Sequence, residues 1–178
     1  MILTPKVYAQ AIIEKLPNVE VSALNDLIED LSLFYMVAVK SKLFRVLAAR
    51  PNPYPAKKKL LDGILSKMNI GGEAKAIIEV LTKQNDISLI PKIINILKEI
   101  RVKKFNVEEG EVISATPLPE KDKKRCMKLL EKMSGHTILL REKVDPKVLG
   151  GLVLKCGDTI MDASIFKKIK TIENLLKV

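Results

Sequence analysis

The chain has 178 residues, enough for one ordinary domain or two small ones, and its 47% apolar content with only 4% aromatics is a helix-packing palette more than a β-sandwich one. Its longest apolar run, Leu33 to Val39, falls well short of the roughly 20 residues that a membrane-spanning helix needs, and with only Met-Ile-Leu ahead of the first helical pattern neither a bilayer span nor a leader peptide is expected. The net charge of +10 raises nucleic acid or an anionic surface as partners, but the lysines are interleaved with Glu and Asp as on a solvated surface, and aromatics for stacking bases are scarce.

Thr4 followed by Pro5 predicts a helix start, an N-cap with proline in the first helical position, running to about Leu16 before Pro17. Its apolar residues, Val7, Tyr8, Ala9, Ala11, Ile12, Ile13 and Leu16, cover more of the circumference than one core face requires. The second helix, Val21 to about Lys40, opens with the stripe Leu24, Leu27, Ile28, Leu31 and ends apolar all round, as for a helix entering the middle of a bundle. Leu43 to Ala49 predicts a short helix stopped by Pro51, Pro53 and Pro55.

Lys57 to Met68 predicts a helix with Leu60, Leu61, Ile64, Leu65 and Met68 on its core face and Lys57, Lys58 and Lys59 in water. From Gly72 to Gln84 the pattern is again broadly apolar, with Ala74, Ala76, Ile77, Ile78, Val80 and Leu81. Asp86 is placed to cap a sixth helix with Ile90, Ile93, Ile94, Leu97 and Ile100 inward and Pro91 tolerated in its first turn.

At Lys104 the pattern changes. Val112 to Thr116 reads as a strand, Pro117 and Pro119 introduce a basic helix with Cys126, Leu129, Leu130 and Met133 inward, and His136 to Val144 is a second strand. Asp145-Pro146 forces a turn; Gly150-Gly151 leads into a strand, Leu152 to Cys156, and Gly157-Asp158 forms a type II′ hairpin turn to Thr159 to Asp162. Ile165, Ile169, Ile172 and Leu176 make the last helix amphipathic. The fold predicted is mainly α, a six-helix N-terminal bundle over 1–104 followed by a small α+β domain over 105–178, joined by the sixth helix or a linker just after it.

No catalytic or cofactor constellation emerges. The Gly150-Gly151 pair opens onto a strand, whereas phosphate-cradling fingerprints open onto a helix. Cys126, Cys156 and His136 lack the close pairing of a metal site, and both cysteines sit in apolar patterns as small hydrophobes, for which no disulfide is expected. Glu108, Glu109 and Glu111 read as solvated acids in an exposed loop between the domains.

The stretch Val144 to Ile165 resembles the C-terminal signature of the delta subunit of rotary F-type ATP synthases, the family of the mitochondrial oligomycin-sensitivity-conferring protein. The match lies in Val144-Asp145-Pro146, the glycine pair, the Gly157-Asp158 turn and the Asp162 to Ser164 step, with Ala163 where the family usually has glycine. VYAQAI at Val7 to Ile12, NDISLIPKI at Asn85 to Ile93 and GEVISATPL at Gly110 to Leu118 resemble further runs in family order, with Asp86 where arginine is common.

The resemblance implies a non-catalytic stator subunit, one copy per complex, peripheral to the membrane on the cytoplasmic face of a bacterial cell. The first and fifth helices would form a groove for the N-terminal helices of the alpha subunit, through Tyr8, Ala9, Ile12 and Ile13 and through Ala76, Ile77 and Val80. The C-terminal domain would hold the b subunits. The competing reading is a basic helical adaptor for nucleic acid or another protein, marked by a salt-dependent affinity for nucleic acid.

Overall fold

A computed structural model describes residues 4–15, 20–49 and 52–176. It is mainly helical with one small sheet, and divides into two compact units, Met1–Arg101 and Val102–Val178. The division falls inside a continuous helix.

In the first unit the helices are α1 (Pro5–Lys15), α2 (Val21–Lys40), α3 (Leu43–Ala48), α4 (Tyr54–Leu65), α5 (Gly72–Lys83) and α6 (Ile90–Phe105), with a single 3-10 turn, Ile87–Leu89, before α6. Thr4 caps α1 through its hydroxyl, which accepts from the Val7 amide at 3.4 Å. The expected end of that helix at Leu16 and Pro17 lies outside the described residues, as does Pro51. Leu24, Leu27, Ile28, Leu31, Phe34 and Ala38 form the buried side of α2, and Leu61, Ile78, Leu81, Ile93 and Leu97 are the buried residues of the helices that follow. Asp30 of α2 also accepts the Gly71 amide at 2.8 Å, serving an N-terminal amide that glycine cannot cap itself.

The second half of α2 is not central, because Leu33, Met36 and Val39 are exposed. An all-round apolar helix reads as buried only when neighbours exist on every side, and here they cover one. Leu60 is likewise exposed. Lys57 does not face water: it stands one turn before Leu61 and two before Leu65 on the buried face of α4, which starts three residues earlier than expected, and it is 1% exposed. Its ammonium donates to the Asn85 side-chain oxygen at 2.6 Å.

Asn85 is itself exposed and can turn to water. We therefore expect Lys57→Met to raise stability by about 1 kcal/mol, since it removes a desolvated charge without orphaning its partner. A urea midpoint that falls instead would show the Lys57 bond to be needed.

In the second unit Asn106, at φ 58°, ends α6 in the left-handed conformation that commonly stops helices. The chain then passes directly into β1 (Val107–Ser114), so the three glutamates lie in a strand and not in a loop. α7 (Glu120–Ser134) crosses over to β2 (Thr137–Val144), which pairs in parallel with β1. After a 3-10 turn at Pro146–Val148, β3 (Leu152–Cys156) and β4 (Thr159–Asp162) add an antiparallel hairpin, giving the order β2-β1-β3-β4, and α8 (Ile165–Leu176) follows. At the hairpin Gly157 has φ 53° while Asp158 stays negative, the sign pattern of a type II′ turn.

Val112, Cys126, Leu130, Ile138, Leu154 and Cys156 form the core between α7 and the sheet. The helix approaches so closely that a Cβ on Gly110 would stand 2.8 Å from Leu130 and 2.7 Å from Ile138. Leu129 and Met133, expected inward, are exposed, as are Ile165 and Ile169 of α8; the side chains of Ile172 and Leu176 lie outside the described residues.

Candidate functional site

Between α1 and α5 runs a groove of about 350 Å³ lined by Tyr8, Ala11, Ile12 and Lys15 from one helix and Glu73, Ala76, Ile77 and Val80 from the other. Each set follows the spacing i, i+3, i+4, i+7, a single helical face. Tyr8, near the start of α1, donates its hydroxyl to Asp86, just beyond the end of α5, at 2.9 Å. The two helices therefore run in opposite senses along the groove. Tyr8 and Val80 stand at one end, Lys15 and Glu73 at the other, and the small side chains of Ala11 and Ala76 lie between them.

Of the seven residues read from the sequence, Tyr8, Ile12, Ala76, Ile77 and Val80 line this groove. Ala9 does not; it is completely buried on the core side of α1. Ile13 is half-buried and outside the lining. The sequence reading left out Ala11, Lys15 and Glu73, although the helical spacing taken from Tyr8 and from Ala76 reaches all three. Val80 is 50% exposed, so the groove offers apolar area that the first unit does not cover.

Asp86 was expected to be a helix cap, but its side chain makes no cap bond and is committed to Tyr8. Burial, then the bond to Asp86 and its negative charge, push the Tyr8 hydroxyl up to about 12 from its ordinary 10. A raised folded value means the neutral phenol is favoured by folding. This contribution is complete below pH 10 and lost as pH rises through about 12. A late tyrosinate absorbance phase near pH 12, absent from Tyr8→Phe, is the expected result.

Elsewhere the chemistry is structural. Burial, then the Glu108 carboxylate, push the Cys156 thiol up to about 11, and burial also raises Cys126, so both thiols are poor nucleophiles. The His136 ring meets Asn106, while its amide donates to Ser134 at 3.1 Å. Glu109 pairs with Arg141 at 3.3 Å and Glu111 with Lys155 at 3.9 Å, ties between neighbouring strands. Among the described residues no group of three or more His, Cys, Asp or Glu could hold a metal ion.

The signature stretch has a mechanical explanation. Gly151, at φ 78°, lets the turn before β3 lie against the Asp162 to Ser164 step, where a Cβ would stand 2.4 Å from the Ala163 carbonyl oxygen. The Ala163 amide donates to Leu152 at 2.9 Å and the Ile165 amide to Gly150 at 2.9 Å. Asp162 accepts from the Ser164 amide at 2.9 Å, and the Ser164 hydroxyl accepts from the Lys167 amide at 3.1 Å in the first turn of α8. Bonding to Ser164 holds the Asp162 carboxyl below its usual range. Ala163 stays out of the positive-φ region, so alanine fits a position where the family usually has glycine.

The fold is similar to that of a chain in the Toxoplasma gondii mitochondrial ATP synthase hexamer, a match that covers 100% of this chain and 99% of that one with a TM-score of 0.59 and 13% identity. At that identity the likeness is one of fold. Residues 5–176 match the family described as ATP synthase delta (OSCP) subunit. The ATP synthase subunit delta of Persephonella marina is 31% identical over 94% of this chain and 92% of its own length, and that of Desulfotalea psychrophila 30% identical over 74% and 75%.

The chain belongs to the ATP synthase delta (OSCP) subunit family. It is a non-catalytic peripheral-stalk subunit of a rotary ATP synthase, a stator linking the catalytic head to the stalk so that ion-driven rotation is coupled to ATP synthesis. It is peripheral to the membrane within that complex, and none of its described helices is long and apolar enough to cross a bilayer.

Proposed function

We propose that the α1–α5 groove receives the N-terminal helical segment of the alpha subunit, and that the second unit holds the b subunits, on the cytoplasmic face of a bacterial membrane. The observation that carries the first part is the open apolar channel between two helices of the first unit, with alanines along it and Lys15 and Glu73 among its lining. An amphipathic helix satisfies such a channel by burying i, i+3, i+4 and i+7 side chains in it. Tyr8, Ile12, Ala76, Ile77 and Val80 make the contact, and Ala9 and Ile13 back α1 from the bundle side.

Under this reading α1 to α6 form one six-helix bundle over residues 1–104, and the α+β domain takes residues 105–178. A stator of this kind acts through affinity. Stiff, tight contacts hold the head against the torque of the rotor. The test is a titration of the full chain with a synthetic peptide of the alpha subunit's N-terminus, followed by amide chemical shifts. Shifts concentrated on residues of α1 and α5 are expected; shifts spread elsewhere on the chain would refute the groove.

A further inference from the structure

Asn85 and Asp86, in the three-residue link Gln84 to Asp86 between α5 and the turn leading to α6, are each held by a side chain from another helix. Lys57 of α4 donates to Asn85 at 2.6 Å, and Tyr8 of α1 donates to Asp86 at 2.9 Å. The backbone of this turn is already fixed without those side chains, since the Asp86 amide donates to the Leu81 carbonyl at 2.8 Å and its own carbonyl accepts from Leu89 at 2.9 Å. The Asp86 carboxylate makes no cap bond to the 3-10 turn that it precedes. Its bond to Tyr8 therefore orders the tyrosine, and with it the adjacent side of α1.

We propose that Asp86 is a positioning residue for the groove: by accepting the Tyr8 hydroxyl it locks the ring in place as the end wall against which the bound helix seats an apolar side chain. A phenol tethered at its hydroxyl has little rotational freedom left to lose on binding, so the wall is formed in advance. The tether also fills the carboxylate's role, which keeps that charge directed at Tyr8 and away from the apolar channel. Ala11 and Ala76 have no side-chain freedom to contribute, whereas Tyr8 brings the one aromatic ring among the lining residues, so its rotamer changes the shape of the channel at that end. The inference rests on the groove reading for its partner, but the ordering of Tyr8 is a property of the free chain.

The test uses the full chain with Tyr8→Phe, Asp86→Ala and Asp86→Asn, and the same alpha-subunit peptide. Each of Tyr8→Phe and Asp86→Ala is expected to weaken peptide binding about tenfold, with the double variant no weaker than either single one. Asp86→Asn, which keeps an acceptor oxygen, should recover part of the loss. In the free chain, Asp86→Asn should bring the Tyr8 absorbance titration down from about 12, and Asp86→Ala should speed amide exchange in α1.

Wild-type affinity in Asp86→Ala, or additive losses in the double variant, would overturn the proposal. If the wild-type chain does not bind the peptide, the groove reading fails, and the free-chain measurements alone decide the inference. An unmoved Tyr8 titration then overturns the tether as well, whereas a lowered titration with faster α1 exchange upholds the ordering of Tyr8 by Asp86 while the seating of a bound helix falls with the groove.

Discussion

Ala76→Asp is expected to weaken binding of the alpha-subunit helix by about a hundredfold or more while changing the stability of the free chain by no more than about 0.5 kcal/mol. The asymmetry comes from where Ala76 stands. It lies on an exposed face of α5, so in the free chain the new carboxylate is solvated and its cost is the modest difference in helix propensity between alanine and aspartate. In the complex proposed above the same carboxylate would lie in the apolar part of the groove, which Ala11, Ile12 and Ile77 line. Burying a charge there without a partner costs several kcal/mol, well beyond what the lost apolar contact of one methyl would cost. Calorimetric titration beside urea unfolding separates the two quantities. Affinity within threefold of wild type would show that the helix docks elsewhere.

Gly151→Val is expected to cost the second unit about 3 kcal/mol or more, a large part of the stability of so small a unit. Two penalties coincide at this position. The φ of 78° strains any residue with a Cβ, and the Cβ itself would stand 2.4 Å from a backbone oxygen of Ala163 and 3.1 Å from Cα of Ser164. Backbone atoms cannot swing aside as a side-chain tip does, so the turn must part from the start of α8 and give up the Ile165 to Gly150 hydrogen bond. Gly63 is the matching control. It lies inside α4 with nothing within 4 Å of its added Cβ, so Gly63→Ala should stabilise by about 0.5 to 1 kcal/mol. Urea unfolding followed by circular dichroism reads both, and a Gly151→Val chain as stable as wild type would refute the account of the signature.

Local signals were legible and long-range ones were not. The span of α2 follows from its stripe and its flanking residues, the start of α1 from Thr4-Pro5, and the hairpin from Gly157-Asp158, because each depends on neighbours within one turn. The groove face was largely readable for the same reason: a surplus of apolar residues at helical spacing shows that a second face exists. Which residues occupy it requires knowing the rotation of α1 about its own axis, and that is why Ala9 was assigned outward and Ala11 left out.

The start of β1 was hidden because Glu108, Glu109 and Glu111 look like loop residues until Arg141 and Lys155 are brought beside two of them by strand pairing. Lys57 looked solvated because only the fold supplies Asn85 as its partner. Asp86 looked like a cap because Asp before a helix is a good one, and nothing local reveals that Tyr8 competes for it. Leu33, Met36 and Val39 failed in the other direction, apolar residues left in the open, which no single-helix pattern can distinguish from core.

The placement of β1 has a consequence for a protein whose task is to resist load. This strand has β2 along one edge for all of its eight residues and β3 along the other for five. Its ladder bonds lie across the direction of the chain. A pull along β1 therefore shears both rows together instead of peeling them open bond by bond, so rupture would require many bonds to fail at once.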